Sequence, residues 1–214
     1  MAPPEHFRLL KGDGANLSPF LVSPFELPAH CLQSALASKG TSPVMIRTSR
    51  LFLRPYFPED ARELCAAIAD ERVVRMLSLA PWPYTLEDAH SFCALTHVPP
   101  ELNFAITLPG ATGAPIIGGI GIDPATGNLP ELGYWIAPDH WQRGYVSEAI
   151  AAVLETARLM GMQHIRSSHF VDNLASGCVL LKAGFTPTGE LIEIASRGRG
   201  GQGVPAIRYE LMLG

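Results

Sequence analysis

Residues 142–147, Gln-Arg-Gly-Tyr-Val-Ser, combine a glycine loop with the start of an apolar helical segment. The first amides of a helix have no partner inside the helix, and the helix dipole places positive potential at that end. Such an end can bind a phosphate or carboxylate group, with Gly144 allowing close approach and Arg143 adding positive charge. The segment is compatible with an anion-binding loop, although a single glycine, taken alone, is more typical of an ordinary turn between a strand and a helix.

Two elements must hold this loop, and the flanking sequence predicts both. Residues 132–136, Leu-Gly-Tyr-Trp-Ile, are typical of a buried strand, and Pro138 ends it. Residues 147–160 carry apolar side chains at helical spacing, and Gly161 follows as a C-terminal cap. The predicted arrangement is a strand, a tight loop and a helix that begins near Ser147.

The rest of the chain completes a predicted fold of seven strands and four helices. The strands are predicted at residues 46–54, 102–108, 116–122, 132–136, 164–170, 191–195 and 206–213, and the helices after Pro58 and at residues 85–97, 147–160 and 175–183. The order βααβββαβαββ indicates a mixed, mostly antiparallel sheet, with one parallel connection where a helix crosses over. Residues 123–128 are typical of a hairpin turn, and the basic residues 196–203 favour a mobile hairpin tip.

Length and charge limit the class of protein. The chain has 214 residues and a formal net charge of −4, which suits one sizeable domain and gives no basic surface for nucleic acid or membrane. No apolar run approaches the roughly 20 residues of a membrane-spanning helix. Residues 1–44 are rich in proline and lack a sustained period, so they are predicted to form an irregular or mobile extension. The folded domain is expected at residues 45–214.

The side chains that bind metals or form disulfides are scattered along the chain. The four cysteines include no Cys-x-x-Cys pair, and His164 and His169 have no matching ligands at metal-binding spacing. We therefore predict no metal site and a reducing, cytoplasmic location. Cys65, Cys93 and Cys178 lie in apolar, helix-like contexts and are expected to be buried.

Four segments, in this order along the chain, carry a recognisable family pattern. They are residues 48–55 (TSRLFLRP), 83–89 (PYTLEDA), 133–149 (GYWIAPDHWQRGYVSEA) and 172–185 (DNLASGCVLLKAGF). With these motifs, the part of the chain from Met45 onward resembles the GNAT superfamily of acetyl-CoA-dependent N-acetyltransferases. The nearest likeness is to the RimJ/RimL-like branch, whose named members acetylate the amino termini of ribosomal proteins.

The resemblance implies an α/β fold of the α+β type, with a central mixed, mostly antiparallel sheet of about seven strands flanked by four helices. The fourth and fifth strands of such a sheet splay apart, and the cosubstrate acetyl-CoA enters the gap. Its pantetheine arm would pair with the main chain of Tyr134 and Ile136, as a peptide pairs with an exposed strand edge. The other coenzyme-binding residues implied by the resemblance are Trp141, Gln142, Arg143, Gly144, Tyr145, Val146, Ser147, Asn173 and Ser176.

Two features depart from the family pattern. The family usually has Gly or Ala at the position of Val146, so binding there requires that the valine side chain point away from the phosphates. Many relatives also use a tyrosine of the last helix as general acid, and residues 178–181, Cys-Val-Leu-Leu, offer none. A non-catalytic acyl-CoA-binding or regulatory domain is therefore the alternative function.

Acetyl transfer needs a neutral amine, a donor for the oxyanion and departure of a thiolate. The resemblance places Glu131 next to the thioester, where it is our candidate base acting through a water, the alternative being a solvated carboxylate at the end of a strand. The Ile136 amide is the expected oxyanion donor. Ser176 or water would protonate the thiolate, although Asn173 and Ser176 are equally typical of a helix cap.

We therefore predict an enzyme that transfers the acetyl group of acetyl-CoA to a primary amine by direct attack in a ternary complex. The acceptor is a protein N-terminal α-amine or a small-molecule amine. Homodimers are common in the family, so a homodimer is an expected state. An unrelated nucleotide-binding protein would need a glycine-rich loop after the first strand, where this chain has Arg54-Pro55-Tyr56-Phe57.

Overall fold

The computed structural model describes residues 44–95, 102–110, 113–123 and 129–214. The extension predicted for residues 1–44 lies outside this part of the chain, apart from Val44. Residues 124–128 of the predicted hairpin turn also lie outside it.

Eight strands form one sheet within the described residues, in the order β1-β2-β3-β4-β5-β6-β8-β7. Neighbouring strands run antiparallel except β5 and β6, which are parallel, so the predicted mixed, mostly antiparallel sheet is confirmed. The count exceeds seven because the predicted first strand is divided by a turn in which the Thr48 amide donates to the Leu51 carbonyl at 3.0 Å. The strands are β1 Ile46–Arg47, β2 Phe52–Arg54, β3 Leu102–Thr107, β4 Ile116–Asp123, β5 Glu131–Ile136, β6 His164–Phe170, β7 Thr186–Ser196 and β8 Gln202–Met212.

The described helices are α1 Ala61–Ile68, α2 Glu71–Val74, α3 Leu86–Cys93, α4 Tyr145–Leu159 and α5 Leu174–Lys182. Four of them correspond to the predicted helices, and α2 is an additional single turn that is too short to show a period in the sequence. The start of α3 has the predicted capping box: the Asp88 amide donates to Thr85 Oγ1 at 3.2 Å, and the Thr85 amide donates to Asp88 Oδ2 at 2.9 Å. The helix ends at Cys93, four residues earlier than expected.

The sheet lies between two helical layers, because alternate residues of its strands face opposite sides. On one side, Leu132 and Ile136 of β5 join a buried cluster with Ile150 and Val153 of α4 and with Leu180 of α5. On the other side, α1 and α3 pack with β3 and β4 in a second cluster, which Trp135 of β5 borders. The first layer holds both helices that follow the central strands, and it is therefore the layer that positions the site.

Exposure of the cysteines differs from the sequence expectation at one position. Cys93 is buried and Cys65 is half-buried, whereas Cys178 is exposed, and all three are free thiols. The expectation was wrong for Cys178 because α5 buries Gly177 and Leu180, which leaves Cys178 on the outer face of an otherwise apolar helix. Among the helices of the described residues, none has both the length and the apolar character to cross a membrane.

Candidate functional site

A gap opens in the sheet between β5 and β6. The two strands pair at Glu131 with Arg166 and at Leu132 with Ser167, and the ladder goes no further. Beyond Leu132 the strands diverge, although β5 continues to Ile136 and remains paired with β4 along its length. The predicted splay of the fourth and fifth strands is thus present, at β5 and β6.

The main chain of β5 presents polar groups to this gap. In an antiparallel ladder, alternate residues turn their amide and carbonyl toward the partner strand. Because the Ala137 amide donates to the Ile117 carbonyl of the β4 side at 2.8 Å, Tyr134 and Ile136 turn theirs toward β6. The Ile136 carbonyl accepts from Trp141 Nε1 at 2.7 Å, so the Ile136 amide and both main-chain groups of Tyr134 remain to meet a ligand.

The loop that follows β5 places backbone amides at the Ile136 end of the gap. Gln142 and Gly144 have φ angles of +58° and +75°, a left-handed conformation that Gln adopts at a cost of about 1–3 kcal/mol and that is concentrated at ligand sites. The first bond inside α4 runs from the Glu148 amide to the Gly144 carbonyl at 3.1 Å. The amides of residues 145–147 therefore have no helical partner, as an anion-binding helix start requires.

The helix begins at Tyr145, two residues before the expected start near Ser147. The expectation was wrong because Gly144 itself makes the left-handed turn, so the next residue already has helical geometry. Arg143 and Ser147 do not line the main cavity, so the structure does not bring these two predicted coenzyme-binding residues to it. The Val146 side chain is half-buried and packs against the main core cluster, which is the buried cluster formed by β5, α4 and α5.

A network centred on Glu148 fixes the loop to the start of the domain. Glu148 Oε1 accepts from Thr48 Oγ1 at 2.6 Å, from Ser49 Oγ at 2.9 Å and from the Arg50 amide at 2.9 Å. Its Oε2 accepts from Arg50 Nε at 2.7 Å. Partial burial opposes ionisation, but these hydrogen bonds together lower the pKa of Glu148 to about 2.

Arg50 connects Glu148 to the loop itself. Its Nη1 donates to the Arg143 carbonyl at 2.9 Å, and its guanidinium lies 4.7 Å from the centre of the Tyr145 ring. A carbonyl held on the outer side of the loop turns the following amide to the inner side. The residues that orient the loop therefore come from almost 100 positions earlier in the sequence.

One large cavity, of about 1640 Å³, joins the gap and the loop. It is large enough to hold a cosubstrate and an acceptor together, since ligand pockets commonly measure about 300–1,000 Å³. The residues of the predicted site that line it are Glu131, Tyr134, Ile136, Trp141, Gln142, Gly144, Tyr145, Val146, Asn173 and Ser176. The fold therefore brings together residues that the chain separates by more than 40 positions.

The first turn of α5 carries the predicted cap. Asn173 Oδ1 accepts from the Ser176 amide at 3.2 Å, so Asn173 serves as the helix cap that one of the two sequence interpretations proposed. A Cβ at Gly177 would lie 2.7 Å from His169 Nε2, so only glycine lets α5 approach β6 this closely. The close approach sets Ser176 beside the gap.

Ser176 has a partner that the sequence did not indicate. The Tyr134 hydroxyl lies 2.8 Å from Ser176 Oγ and can also donate to the Ser176 carbonyl at 3.2 Å. Burial raises the pKa of Tyr134 to about 12, with the Ser176 contact acting in the opposite direction. The sequence predicted a buried strand at residues 132–136, but nothing local to residue 134 or 176 indicated that these two side chains would meet.

Glu131 lies at the exposed start of β5 and lines the cavity. Its Oε1 accepts from Ser168 Oγ of β6 at 2.9 Å. The carboxylate therefore stands at the end of the gap where β5 and β6 still pair, with water access, which is compatible with both interpretations drawn from the sequence. A base acting through water needs this combination of position and hydration.

His140 borders the loop and also lines the cavity. Its Nδ1 is buried without a hydrogen-bond partner within the described residues. Burial, and then the nearby Arg143, lower the pKa of His140, so the imidazole is neutral at pH 7. A neutral ring beside the amides adds no positive charge to the potential of the helix start.

The turn between β7 and β8 also lines the cavity, at Arg197, and it is docked on the chain around α2. The Arg197 amide donates to the Ser78 carbonyl at 2.8 Å, and Arg199 Nε donates to the Arg75 carbonyl at 2.7 Å. Arg199 also pairs with Asp172 at 2.9 Å. The sequence favoured a mobile hairpin tip here, and the docking contacts were not visible because they join residues about 120 positions apart.

The described residues contain no group of three or more His, Cys, Asp or Glu side chains placed to hold a metal ion. The site that the fold assembles is instead a row of main-chain donors and acceptors, a helix start and three polar side chains, those of Glu131, Tyr134 and Ser176. This set suits the binding of an extended, amide-bearing and phosphorylated ligand.

Comparison with protein families matches residues 50–186 to the acetyltransferase (GNAT) domain. An uncharacterized N-acetyltransferase of Bacillus subtilis, YoaA, is 31% identical over 154 residues, which cover 69% of this chain and 85% of the relative. The family match includes the strand, loop and helix of the candidate site.

Solved structures share the fold at lower identity. A putative ribosomal-protein-serine acetyltransferase from Vibrio cholerae has a TM-score of 0.62 and 22% identity, covering 80% of this chain and 99% of its own. Spermidine N-acetyltransferase from the same organism, in complex with CoA and spermine, has a TM-score of 0.62 and 19% identity, covering 78% and 97%. At these identities the likeness establishes the fold.

Proposed function

Because the chain belongs to the GNAT acetyltransferase family, we propose that it transfers the acetyl group of acetyl-CoA to a primary amine, which attacks the thioester directly in a ternary complex. The observation that carries this proposal is the divergence of β5 and β6 after Leu132. It leaves main-chain groups of Tyr134 and Ile136 facing the gap, and the amides of the α4 start lie at the end of the same cavity.

The cosubstrate would lie along β5 with its pyrophosphate at the loop. Its pantetheine amides would pair with Tyr134 and Ile136, as an added strand would. Its pyrophosphate would accept from the amides of residues 143–147, with Gly144 allowing close approach and the Arg143 side chain adding charge from outside the cavity. Trp141, Gln142 and Asn173 would line this channel.

Catalysis would use groups near the end of the gap where β5 and β6 still pair, at Glu131 and Leu132. The amine must lose a proton, since free amines have pKa values of roughly 8 to 10, and Glu131 would take it through a water. The Ile136 amide would donate to the oxyanion of the tetrahedral intermediate. Ser176 would face the departing sulfur, and electrons of the broken C–S bond would leave with it.

The acceptor is proposed to be a protein N-terminal α-amine or a small-molecule amine. The four motif segments together resemble the RimJ/RimL-like branch, and this resemblance favours a protein terminus as the acceptor. The fold neighbours include proteins named for each kind of acceptor, a ribosomal protein and spermidine. A cytoplasmic location and a homodimer stay predictions that accompany this proposal.

A thiol-release assay with acetyl-CoA tests the function. Peptides with free amino termini, the same peptides with acetylated termini, and spermidine would be compared at equal concentration. We expect release of CoA thiol that depends on a free amine, together with a mass increase of one acetyl group in the acceptor. Tight coenzyme binding by calorimetry without turnover on any amine would instead favour the non-catalytic acyl-CoA-binding domain.

A further inference from the structure

Two hydroxyl groups meet beside the gap, just past the point where β5 and β6 begin to diverge. The Tyr134 phenol oxygen is 2.8 Å from Ser176 Oγ, and both residues line the cavity. Separate parts of the fold hold them. Tyr134 packs against the main core cluster from β5, and Asn173 caps the turn of α5 that carries Ser176.

The positions of the two hydroxyl hydrogens decide whether Ser176 can donate a hydrogen bond to a ligand in the cavity. A serine hydroxyl has one hydrogen and can accept two hydrogen bonds. When Tyr134 donates to the Ser176 carbonyl, at 3.2 Å, its oxygen is available to accept the Ser176 hydrogen, which then points away from a ligand. When Tyr134 donates to Ser176 Oγ instead, the serine hydrogen is released toward the cavity.

Building on the acetyl transfer proposed above, we propose that Tyr134 is a positioning residue, which donates to Ser176 Oγ so that the Ser176 hydroxyl donates to the sulfur of the departing thiolate. No O–H bond is broken in this step. The C–S electron pair leaves on sulfur, and two aligned hydroxyl dipoles stabilise the charge. Hydrogen bonds in such a chain strengthen one another, most of all where water is excluded.

The surroundings of Tyr134 suit a permanent donor. Burial raises its pKa to about 12, so the phenol keeps its hydrogen throughout the pH range in which an acceptor amine becomes neutral. A thiolate whose thiol has a pKa of about 8.5 would not remove a proton from it. The role left for Tyr134 is therefore orientation of the serine dipole rather than proton transfer.

The direct test is the acidity of coenzyme A bound without an acceptor. Ultraviolet absorbance of the thiolate would be titrated between about pH 6 and about pH 10, with the complex of S-methyl coenzyme A as the blank. We expect the bound thiol of the wild-type protein to have a pKa below 8.5, and the Tyr134→Phe variant to raise it by about 1. A structural role for the phenol would leave this value unchanged.

Kinetics and a matched control complete the test. Tyr134→Phe should lower kcat about 10- to 100-fold with the Kd for coenzyme A within about threefold of wild type. Adding Ser176→Ala to it should cause little further loss, because the two hydroxyls act as one unit. Tyr56→Phe removes a buried phenol from the other side of the sheet and should change neither value.

The outcomes separate this inference from the proposed function. A wild-type protein that does not bind coenzyme A overturns both. Binding and acetyl transfer with the same thiol pKa and the same kcat in wild type and Tyr134→Phe overturn the positioning role alone. Equal effects of Tyr134→Phe and Tyr56→Phe would also overturn it, because they would show a general response to losing a buried hydroxyl.

Discussion

The Glu148 network makes a sharp prediction about pH and stability. Glu148 receives hydrogen bonds from Thr48, Ser49 and Arg50, and its side chain is 16% exposed. The substitution Glu148→Gln keeps the shape of the side chain and removes its charge. It leaves Arg50 without its carboxylate partner and one of the former donors facing an amide NH₂ group.

The magnitude follows from the pKa of the carboxyl group. A fall from 4.5 to about 2 corresponds to about 3 kcal/mol, at 1.36 kcal/mol for each pKa unit. Arg50 is 46% exposed, so solvent screening reduces the expected contribution to about 1–2 kcal/mol. We expect Glu148→Gln to lower the free energy of unfolding by this amount at pH 7.

The sign of the pH dependence follows from which state binds the proton first. The folded pKa lies below the unfolded value, so the unfolded chain is protonated first as the pH falls. The stabilisation is therefore complete above about pH 5 and is lost progressively from there toward about pH 2. Glu148→Gln should remove this loss, so that the difference between the variant and wild type shrinks over that interval.

Urea unfolding at a series of pH values measures both effects. Glu155→Gln is a matched control, because Glu155 lies on the same helix and forms an exposed pair with Arg158. A stability difference between wild type and Glu148→Gln that stayed constant from neutral pH to about pH 3 would refute the reasoning. So would an equal pH dependence of the Glu148 and Glu155 variants.

The same substitution also tests how the loop is positioned. Arg50 holds the Arg143 carbonyl at 2.9 Å, so a released Arg50 should leave the loop amides less ordered. We expect the Kd for coenzyme A to rise up to about tenfold in Glu148→Gln, equivalent to about 1.4 kcal/mol. Unchanged affinity, measured by calorimetry, would mean that the loop keeps its shape without this anchor.

Three further substitutions test individual parts of the site. Gly144→Ala places a side chain at a φ of +75°. It should lower the free energy of unfolding by about 1–2 kcal/mol and weaken coenzyme binding. An affinity equal to that of wild type in a calorimetric titration would argue against the anion-binding loop. Glu131→Gln should lower kcat roughly 100-fold; an unchanged acetylation rate would exclude Glu131 as the base. Asn173→Ala removes the cap of α5 and should reduce the unfolding free energy by about 1 kcal/mol, and a denaturation midpoint equal to that of wild type would show that the cap contributes little.

Much of the fold was predictable because its signals are local. The capping box of Thr85 and Asp88, the strand ended by Pro138 and the helix stripe after Gly144 each depend on neighbours within a few residues. The order of these elements then restricted the sheet to a mixed arrangement with one parallel pair. The boundary errors, such as the start of α4, arise where a single backbone angle decides the outcome.

The contacts that complete the site were not predictable, because they join distant parts of the chain. Glu148 meets Arg50 across 98 positions, and Tyr134 meets Ser176 across 42. The docking of Arg199 on the carbonyl of Arg75 is of the same kind. Spacing along a sequence does not give the distance between side chains that three-dimensional packing brings together.

The sequence by itself determined the family pattern, the type of each main element and the strand-loop-helix unit at residues 131–148, since these depend on residue type and local period. Only the tertiary structure decided where β5 and β6 part, which main-chain groups face the gap and which hydroxyl Tyr134 reaches. The physical reason is that register and helix docking minimise the free energy of the whole core. At Gly177, for example, a Cβ would lie 2.7 Å from His169 Nε2, so the absence of a side chain lets α5 approach β6 and sets Ser176 beside the gap.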